Sequence, residues 1–400
     1  MNLRHRQIRR SLPILTVGAF LAGGLVLAQT APAQPSPAAP AAPTTPSRPA
    51  TSGRVTSGAD KLTSAEGALF TKARPSTLRI LQCPVNNCVE PDGIGTAFLI
   101  GDDGLALTAY HVIFQAKALS AQTADRKRYA VEVVGYDDQN DIALLRVNVP
   151  KGTPYLPVAA ASPRVGDPVL AIGNGGGSFL TPKTGRLTAL DTPSDRADFP
   201  SGTLELTAPL IPGDSGGPIL NAKGEVTGVV SYISVKPSNV EDLRADPEIT
   251  AYAVPVTASA QRLADLRKGV KREAPVIGVG IDGNLALLTA LPERLFAEAN
   301  EKLGLGLGSV AGAFFTSVSE NGPAARAGLR PVRYNTDGKV TQGDLVTAID
   351  GKRVVNFSDF QRLVRTNYQP GDTVTLKVLR AGKTIDVKMT LIGRSTVADR

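Results

Sequence analysis

Short strand-like runs broken by turn residues constrain this chain's fold more than any other feature. They recur at Ser76–Gln82, Gly95–Ile100, Ala106–Thr108, Ala130–Tyr136, Ile142–Val147, Val169–Ile172, Gly185–Thr188, Leu204–Thr207, Gly217–Leu220 and Val226–Ile233. Gly, Pro, Asn and Asp punctuate them at fairly even intervals, the pattern of an all-β barrel or sandwich. Apolar Leu263 and Leu266 among charges make Ser259–Lys268 a helix that closes this unit. After a charged bridge, Lys268–Glu273, the texture changes. Strand-like Val276–Ile281, Gly312–Val318, Gly343–Ile349, Thr373–Leu379 and Thr384–Leu391 mix with helical Pro292–Leu303, Pro323–Gly328 and Phe357–Val364. A chain of 400 residues exceeds one core. Two domains are therefore expected, at residues 61–268 and 275–394.

The N-terminus lies outside both. Arg4, Arg6, Arg9 and Arg10 precede an uncharged apolar run from Leu12 to Ala28, and small residues follow. This is the layout of a secretory signal over residues 1–33, with cleavage after Ala28, Ala31 or Ala33. An uncleaved anchor is the alternative, since about 17 apolar residues approach the length that spans a bilayer. Residues 31–50 hold seven prolines and seven alanines. Residues 34–60 are accordingly an extended, semi-rigid tether.

Four of the chain's positive charges sit in that leader, so a net +8 becomes +4 without them. Tryptophan is absent and aromatic residues make up 5%, which argues against a nucleic-acid platform. Cys83 and Cys88 are the two cysteines. In an exported chain they read as a disulfide closing a short loop, with a metal site the poorer alternative because no histidine is near. No metal and no organic cofactor is implied.

The chemistry concentrates in Gly213-Asp214-Ser215-Gly216-Gly217-Pro218. A serine in such a turn has an exposed hydroxyl beside backbone N–H groups, as an acyl-transfer nucleophile requires. Of two histidines, His5 lies in the leader, which leaves His111, after Leu107-Thr108-Ala109-Tyr110, as the base. A carboxylate must orient that imidazole. Asp137, Asp138 and Asp141 are near; Asp141 opens the apolar run Ile142-Ala143-Leu144-Leu145 and is drawn toward a core, whereas Asp137 and Asp138 read as solvated turn residues. The order His111, Asp141, Ser215 is that of the chymotrypsin fold.

Residues 76–256 resemble the protease domain of the HtrA (Deg) family of exported trypsin-like serine proteases. The matching stretches include G-T-A-F-L-I-G-D-D-G-L-A-L-T-A-Y-H-V-I, D-I-A-L-L-R-V, A-I-G-N and P-G-D-S-G-G-P-I-L-N-A-K-G-E-V-T-G-V. The resemblance implies an all-β, chymotrypsin-like double β-barrel, with His111 as base, Asp141 as its orienter and Ser215 as nucleophile. Gly213 and Ser215, with help from Asp214, would form the oxyanion hole. Asp214 stands where the family usually has Asn. Pro209 occupies the place where an acid would select Lys or Arg. Leu210, Ile211, Ser231 and Ile233 are the pocket candidates, for small or medium aliphatic P1 residues.

Residues 275–393 resemble a PDZ domain, smaller and α+β, through Val276-Ile277-Gly278-Val279, Pro323-Ala324-Ala325-Arg326-Ala327-Gly328-Leu329 and Gly343-Asp344-Leu345-Val346-Thr347-Ala348-Ile349-Asp350-Gly351. Such domains capture peptide C-termini by strand addition. Val276, Ile277, Gly278 and Val279 would hold the carboxylate, unless that stretch is simply a first strand. The peptide would lie along Gly280–Asp282, with Phe360 or Leu363 facing its last side chain or serving the core. Arg330–Thr341 is expected to be a polar surface loop.

The expected function is ATP-independent hydrolysis of unfolded proteins by an exported enzyme, in the periplasm or cell envelope or after secretion. A PDZ-dependent chaperone and a dedicated processing protease in envelope signalling remain alternatives. The resemblance also implies a homotrimer, with Leu69 and Phe70 as contact residues. Nucleic acid is not an expected partner; a membrane tether through the N-terminus belongs to the alternative in which the leader is not cleaved.

Overall fold

The computed structural model describes residues 62–84, 88–192, 200, 202–236, 248–282, 292–302, 304, 306–334 and 340–398. The leader and the Pro/Ala-rich segment lie outside these. Helix α1, Ser64–Ala73, opens with a capping box in which the side chains of Thr63 and Glu66 satisfy each other's backbone N–H groups.

Six strands follow: β1 Thr77–Cys83, β2 Gly93–Leu99, β3 Leu105–Thr108, β4 Ala118–Gln122, β5 Arg128–Asp137 and β6 Ile142–Val147. They are ordered β5-β4-β1-β2-β3-β6 and close through pairing of β5 with β6. One helical turn, α2 Tyr110–Ile113, leaves the end of β3. A second closed barrel has the order β10-β11-β12-β9-β8-β7. Its strands are β7 Pro168–Gly173, β8 Thr181–Thr192, β9 Thr203–Leu206, β10 Pro218–Leu220, β11 Val226–Lys236 and β12 Glu248–Pro255. This is a chymotrypsin-like double barrel.

Successive residues of a strand point to opposite faces. In β6, Ala143, Leu145 and Val147 fill the first barrel, while Ile142 and Leu144 face the seam between the barrels. In β7, Val169 and Ala171 fill the second barrel, and Leu170 and Ile172 meet the same seam. Both faces are dry, so these strands read as continuous apolar runs. Helix α3, Gln261–Arg267, covers the seam with Leu263 and Leu266.

The expected charged bridge at Lys268–Glu273 is not a bare connector. Lys271–Arg272 forms β13, which adds in parallel to β5. Arg272 reaches Asp137 at 3.0 Å and Asp265 at 3.6 Å, so the bridge's charge is spent on docking it.

The C-terminal domain comprises β14 Pro275–Val276, β15 Val279–Gly280, α4 Glu293–Lys302, β16 Ser317–Val318, α5 Pro323–Arg326, β17 Arg333–Tyr334, β18 Val340–Gln342, β19 Asp344–Ile349, β20 Lys352–Arg353, α6 Phe357–Asn367, β21 Thr373–Arg380, β22 Lys383–Thr390 and β23 Ile392–Gly393, before a final turn of helix, α7 Arg394–Ala398. A four-stranded sheet, β20-β19-β21-β22, packs against α6 through Phe357, Phe360 and Val364. Asn356 caps α6 by accepting the N–H of Asp359. The stretch expected to be a polar surface loop instead contains the hairpin β17–β18, anchored by buried Val332.

Candidate active site

His111 owes its place to β3 and α2. β3 pairs with β2 and β6, and Ala109 is extended, so the chain turns into α2 with His111 facing the strand that follows Asp141. Asp141 is 4% exposed and sits at φ 50°, in the left-handed region that aims its carboxylate back at the helix. That carboxylate accepts the backbone N–H of His111 at 2.9 Å through Oδ1. Its Oδ2 lies 2.9 Å and its Oδ1 3.1 Å from His111 Nδ1. An ionised carboxylate offers acceptors alone, so Nδ1 carries the proton and Nε2 keeps a lone pair.

A third donor comes from β11. The Ser231 hydroxyl donates to Asp141 Oδ2 at 2.5 Å. The carbonyl of the same residue faces the Ser215 hydroxyl at 3.4 Å. One residue of the second barrel thus touches both the carboxylate and the serine. Ser231 is fully buried; among the four residues read as pocket lining, its side chain is committed to Asp141. Leu210 is buried in the second barrel's core. Ile211 is 38% exposed, and Ile233 is half-buried against that core.

The turn holding Ser215 is fixed from outside. Thr96 donates its backbone N–H to the Ser215 carbonyl at 2.8 Å and its hydroxyl to the Gly213 carbonyl at 2.8 Å. Gly176 donates to the Pro212 carbonyl at 3.0 Å, and Gly216 donates to Val230 at 2.8 Å. These bonds turn the carbonyls of Pro212, Gly213 and Ser215 toward partners. The N–H groups of Gly213 and Ser215 find no acceptor among the described residues, the arrangement an oxyanion hole needs. Asp214 adds no donor, because its N–H is bonded to the Ile211 carbonyl at 3.1 Å. Asn174, the last residue of A-I-G-N and given no role by the sequence, joins the two barrels here: its amide donates to Gly95 and Thr96, and its oxygen accepts from Arg79 and Leu180.

Asp137 and Asp138 are not the solvated turn residues their setting suggests; each is 2% exposed. Asp137 accepts from Asn140 and pairs with Arg272 and, at 3.8 Å, with Arg262. Asp138 accepts the Ala274 N–H at 3.1 Å and pairs with Arg394 at 3.3 Å. The loop leading into Asp141 is therefore buried under later parts of the chain.

In the C-terminal domain, Ile277 is buried in the core, Val276 pairs with Ile392, and Val279 pairs with Val318. Gly278 has φ 80° and gives its carbonyl to Ser319. Gly280 gives its carbonyl to Thr316, and the Asp282 N–H goes to the Thr316 hydroxyl. Phe360 belongs to the core; Leu363 is partly buried beside it.

Burial alone would raise the Asp141 pKa, but the charge of His111 and hydrogen bonds from His111 and Ser231 hold it below the usual carboxylate range. Its folded value is below its unfolded one, so its contribution to stability is present above about pH 4 and is lost as pH falls through the lower folded value. Asp141 therefore stays ionised on mild acidification, and the acid limb of a kcat/KM profile is expected to contain no step from Asp141; an Asp141 carboxyl signal that titrates within that limb would contradict its depressed value.

Residues 95–229 match a trypsin-like peptidase domain and residues 275–391 a PDZ domain. The chain is 29% identical over 357 residues to chloroplastic Protease Do-like 1 of Arabidopsis thaliana, covering 86% of this chain and 75% of that one. It is 29% identical over 308 residues to a probable periplasmic serine endoprotease, DegP-like, of Ectopseudomonas mendocina, covering 76% of this chain and 57% of the relative's length. A solved serine endoprotease from Yersinia pestis aligns at 22% identity with a TM-score of 0.47, over 83% of this chain and 99% of that one. The chain thus carries a trypsin-like peptidase domain followed by one PDZ domain and is similar to Do-like and DegP-like serine proteases.

Proposed function

We propose that this protein is an exported, ATP-independent serine endopeptidase that cleaves unfolded or damaged proteins through an acyl-enzyme. The observation that carries the reading is the carboxylate of Asp141, which holds both the ring and the backbone N–H of His111 and receives Ser231. His111 takes the proton of Ser215 as the hydroxyl attacks the scissile carbonyl. Gly213 and Ser215 N–H groups receive the oxyanion, and the imidazolium returns the proton to the leaving amine. Water then hydrolyses the ester by the same steps.

Ile211 and Ile233 keep apolar surface for a small or medium aliphatic P1 side chain, with Pro209 leaving no anion for a basic one. Apolar pockets discriminate by only about 1–3 kcal/mol per methylene, which suits loosely specific cleavage of exposed core segments. The C-terminal domain would take peptide C-termini at Val276–Val279, and assembly would be trimeric. A leader over residues 1–33, a tether over 34–60 and relatives named as periplasmic endoproteases support an envelope location. Cys83 and Cys88, with Cα atoms 4.9 Å apart, fit a disulfide of an oxidising compartment.

The test is treatment of the purified protein with a fluorophosphonate probe and with denatured casein, with Ser215→Ala as the control. Labelling at Ser215 and cleavage after Val, Ala, Ile or Leu are expected. Absence of labelling would overturn the peptidase reading. Cleavage mainly after Lys or Arg would overturn the pocket.

A further inference from the structure

The residue before the nucleophile carries a charge that acyl transfer does not use. Asp214 is 1% exposed. Its Oδ1 accepts the Gly175 N–H at 2.8 Å, and its Oδ2 accepts the Ile211 N–H at 2.9 Å. The remaining partner is the ammonium of Lys183, on β8, whose side chain is 14% exposed. A carboxylate this deep is unfavourable without a cation. Among the described residues, Lys183 is the cation that reaches it.

We infer that Lys183 is a positioning residue for the oxyanion-binding turn. Its ammonium pairs with the Asp214 carboxylate and holds it in place. Asp214 in turn ties Ile211, two residues before Gly213, to Gly175, whose neighbour Gly176 holds the Pro212 carbonyl away from the site. Without the ammonium the buried carboxylate has no cation beside it and swings toward water, releasing two backbone anchors beside Gly213. The N–H groups of Gly213 and Ser215 would then lose their aim while the substrate-binding surface survived. This rests on the peptidase reading above.

Lys183→Met is expected to lower kcat about a hundredfold, the size of effect expected for an oxyanion donor, with KM changed less than about threefold. Affinity for a peptidyl trifluoromethyl ketone, which places an alkoxide in the same turn, should fall with kcat. Lys183→Met/Asp214→Asn removes the unpaired charge and should regain about tenfold of the loss. A merely structural lysine would lower thermal stability without this split between kcat and KM or this rescue. If Lys183→Met fails to fold, Lys183→Arg decides. A kcat within about tenfold of wild type supports the charge role, and a hundredfold loss with an intact melt overturns it. Lys183→Met with wild-type kcat, or a loss that the second substitution leaves unrelieved, also overturns the inference. A wild type that no fluorophosphonate labels overturns the peptidase reading and this inference together. A labelled wild type matched in rate by Lys183→Met overturns the inference alone.

Discussion

Asp141→Asn is expected to leave a folded protein whose kcat is about 10,000-fold lower, with KM little changed. The carboxylate serves three donors: the backbone N–H and Nδ1–H of His111 and the Ser231 hydroxyl. An asparagine of the same shape has one acceptor oxygen and a donating NH2. With the oxygen on the His111 backbone N–H, the NH2 faces the ring and Nδ1 must accept. The imidazole proton moves to Nε2, the atom that has to take the proton from Ser215, and the base is blocked in its ground state. The stabilisation of the imidazolium by a buried negative charge is lost as well. Packing is conserved, so the stability cost should be that of imperfectly satisfied hydrogen bonds, about 1–3 kcal/mol. Steady-state hydrolysis of a peptide substrate, read beside a thermal melt, checks both halves. A kcat within tenfold of wild type would mean that His111 is oriented by something other than Asp141.

Much of this arrangement was legible because local sequence and global fold agree. Ile142-Ala143-Leu144-Leu145 is continuously apolar, which pointed to a dry strand and placed Asp141 at the mouth of a core. The strand proved dry on both faces, Ala143 and Leu145 serving one core and Ile142 and Leu144 another. The turn residues around Ser215 likewise announced a tight turn with backbone N–H groups beside an exposed hydroxyl.

What escaped the sequence depends on partners far along the chain. Asp137 and Asp138 have the composition of an exposed turn. Their burial requires Arg262, Arg272 and Arg394, more than a hundred residues later, to arrive with compensating charge. Lys183 sits among Thr, Pro and Gly on β8 and looks like an outward-facing lysine. One signal could have found it: an acid placed directly before a nucleophile in a buried turn demands a cation somewhere. Ser231 was read as pocket lining because residue type alone does not tell which face of β11 a side chain takes.

Gly216→Ala should destroy both the fold of the site and its activity. Gly216 has φ 84°, a backbone conformation that costs an alanine about 1–2 kcal/mol before any contact is counted. A Cβ there would stand 2.0 Å from the Thr96 carbonyl oxygen, 2.3 Å from the Thr108 hydroxyl and 3.1 Å from the Ala109 nitrogen. None of the three can yield cheaply. The Thr96 carbonyl is held by the Thr108 hydroxyl at 2.7 Å, and Ala109 is the residue from which α2 carries His111. Relief must come from moving the turn, which would pull Ser215 off the Thr96 N–H and Gly216 off Val230. Destabilisation above about 4 kcal/mol and loss of measurable hydrolysis are expected. Gly224→Ala is the control: its φ is 81°, but its Cβ would meet only the tip of Leu69, at 3.0 Å. That variant should lose the backbone term alone, about 1–2 kcal/mol, and keep its activity. Equal losses of stability and activity in the two variants would mean that the close approach of Gly216 to Thr96 and Thr108 does not set the position of the nucleophile.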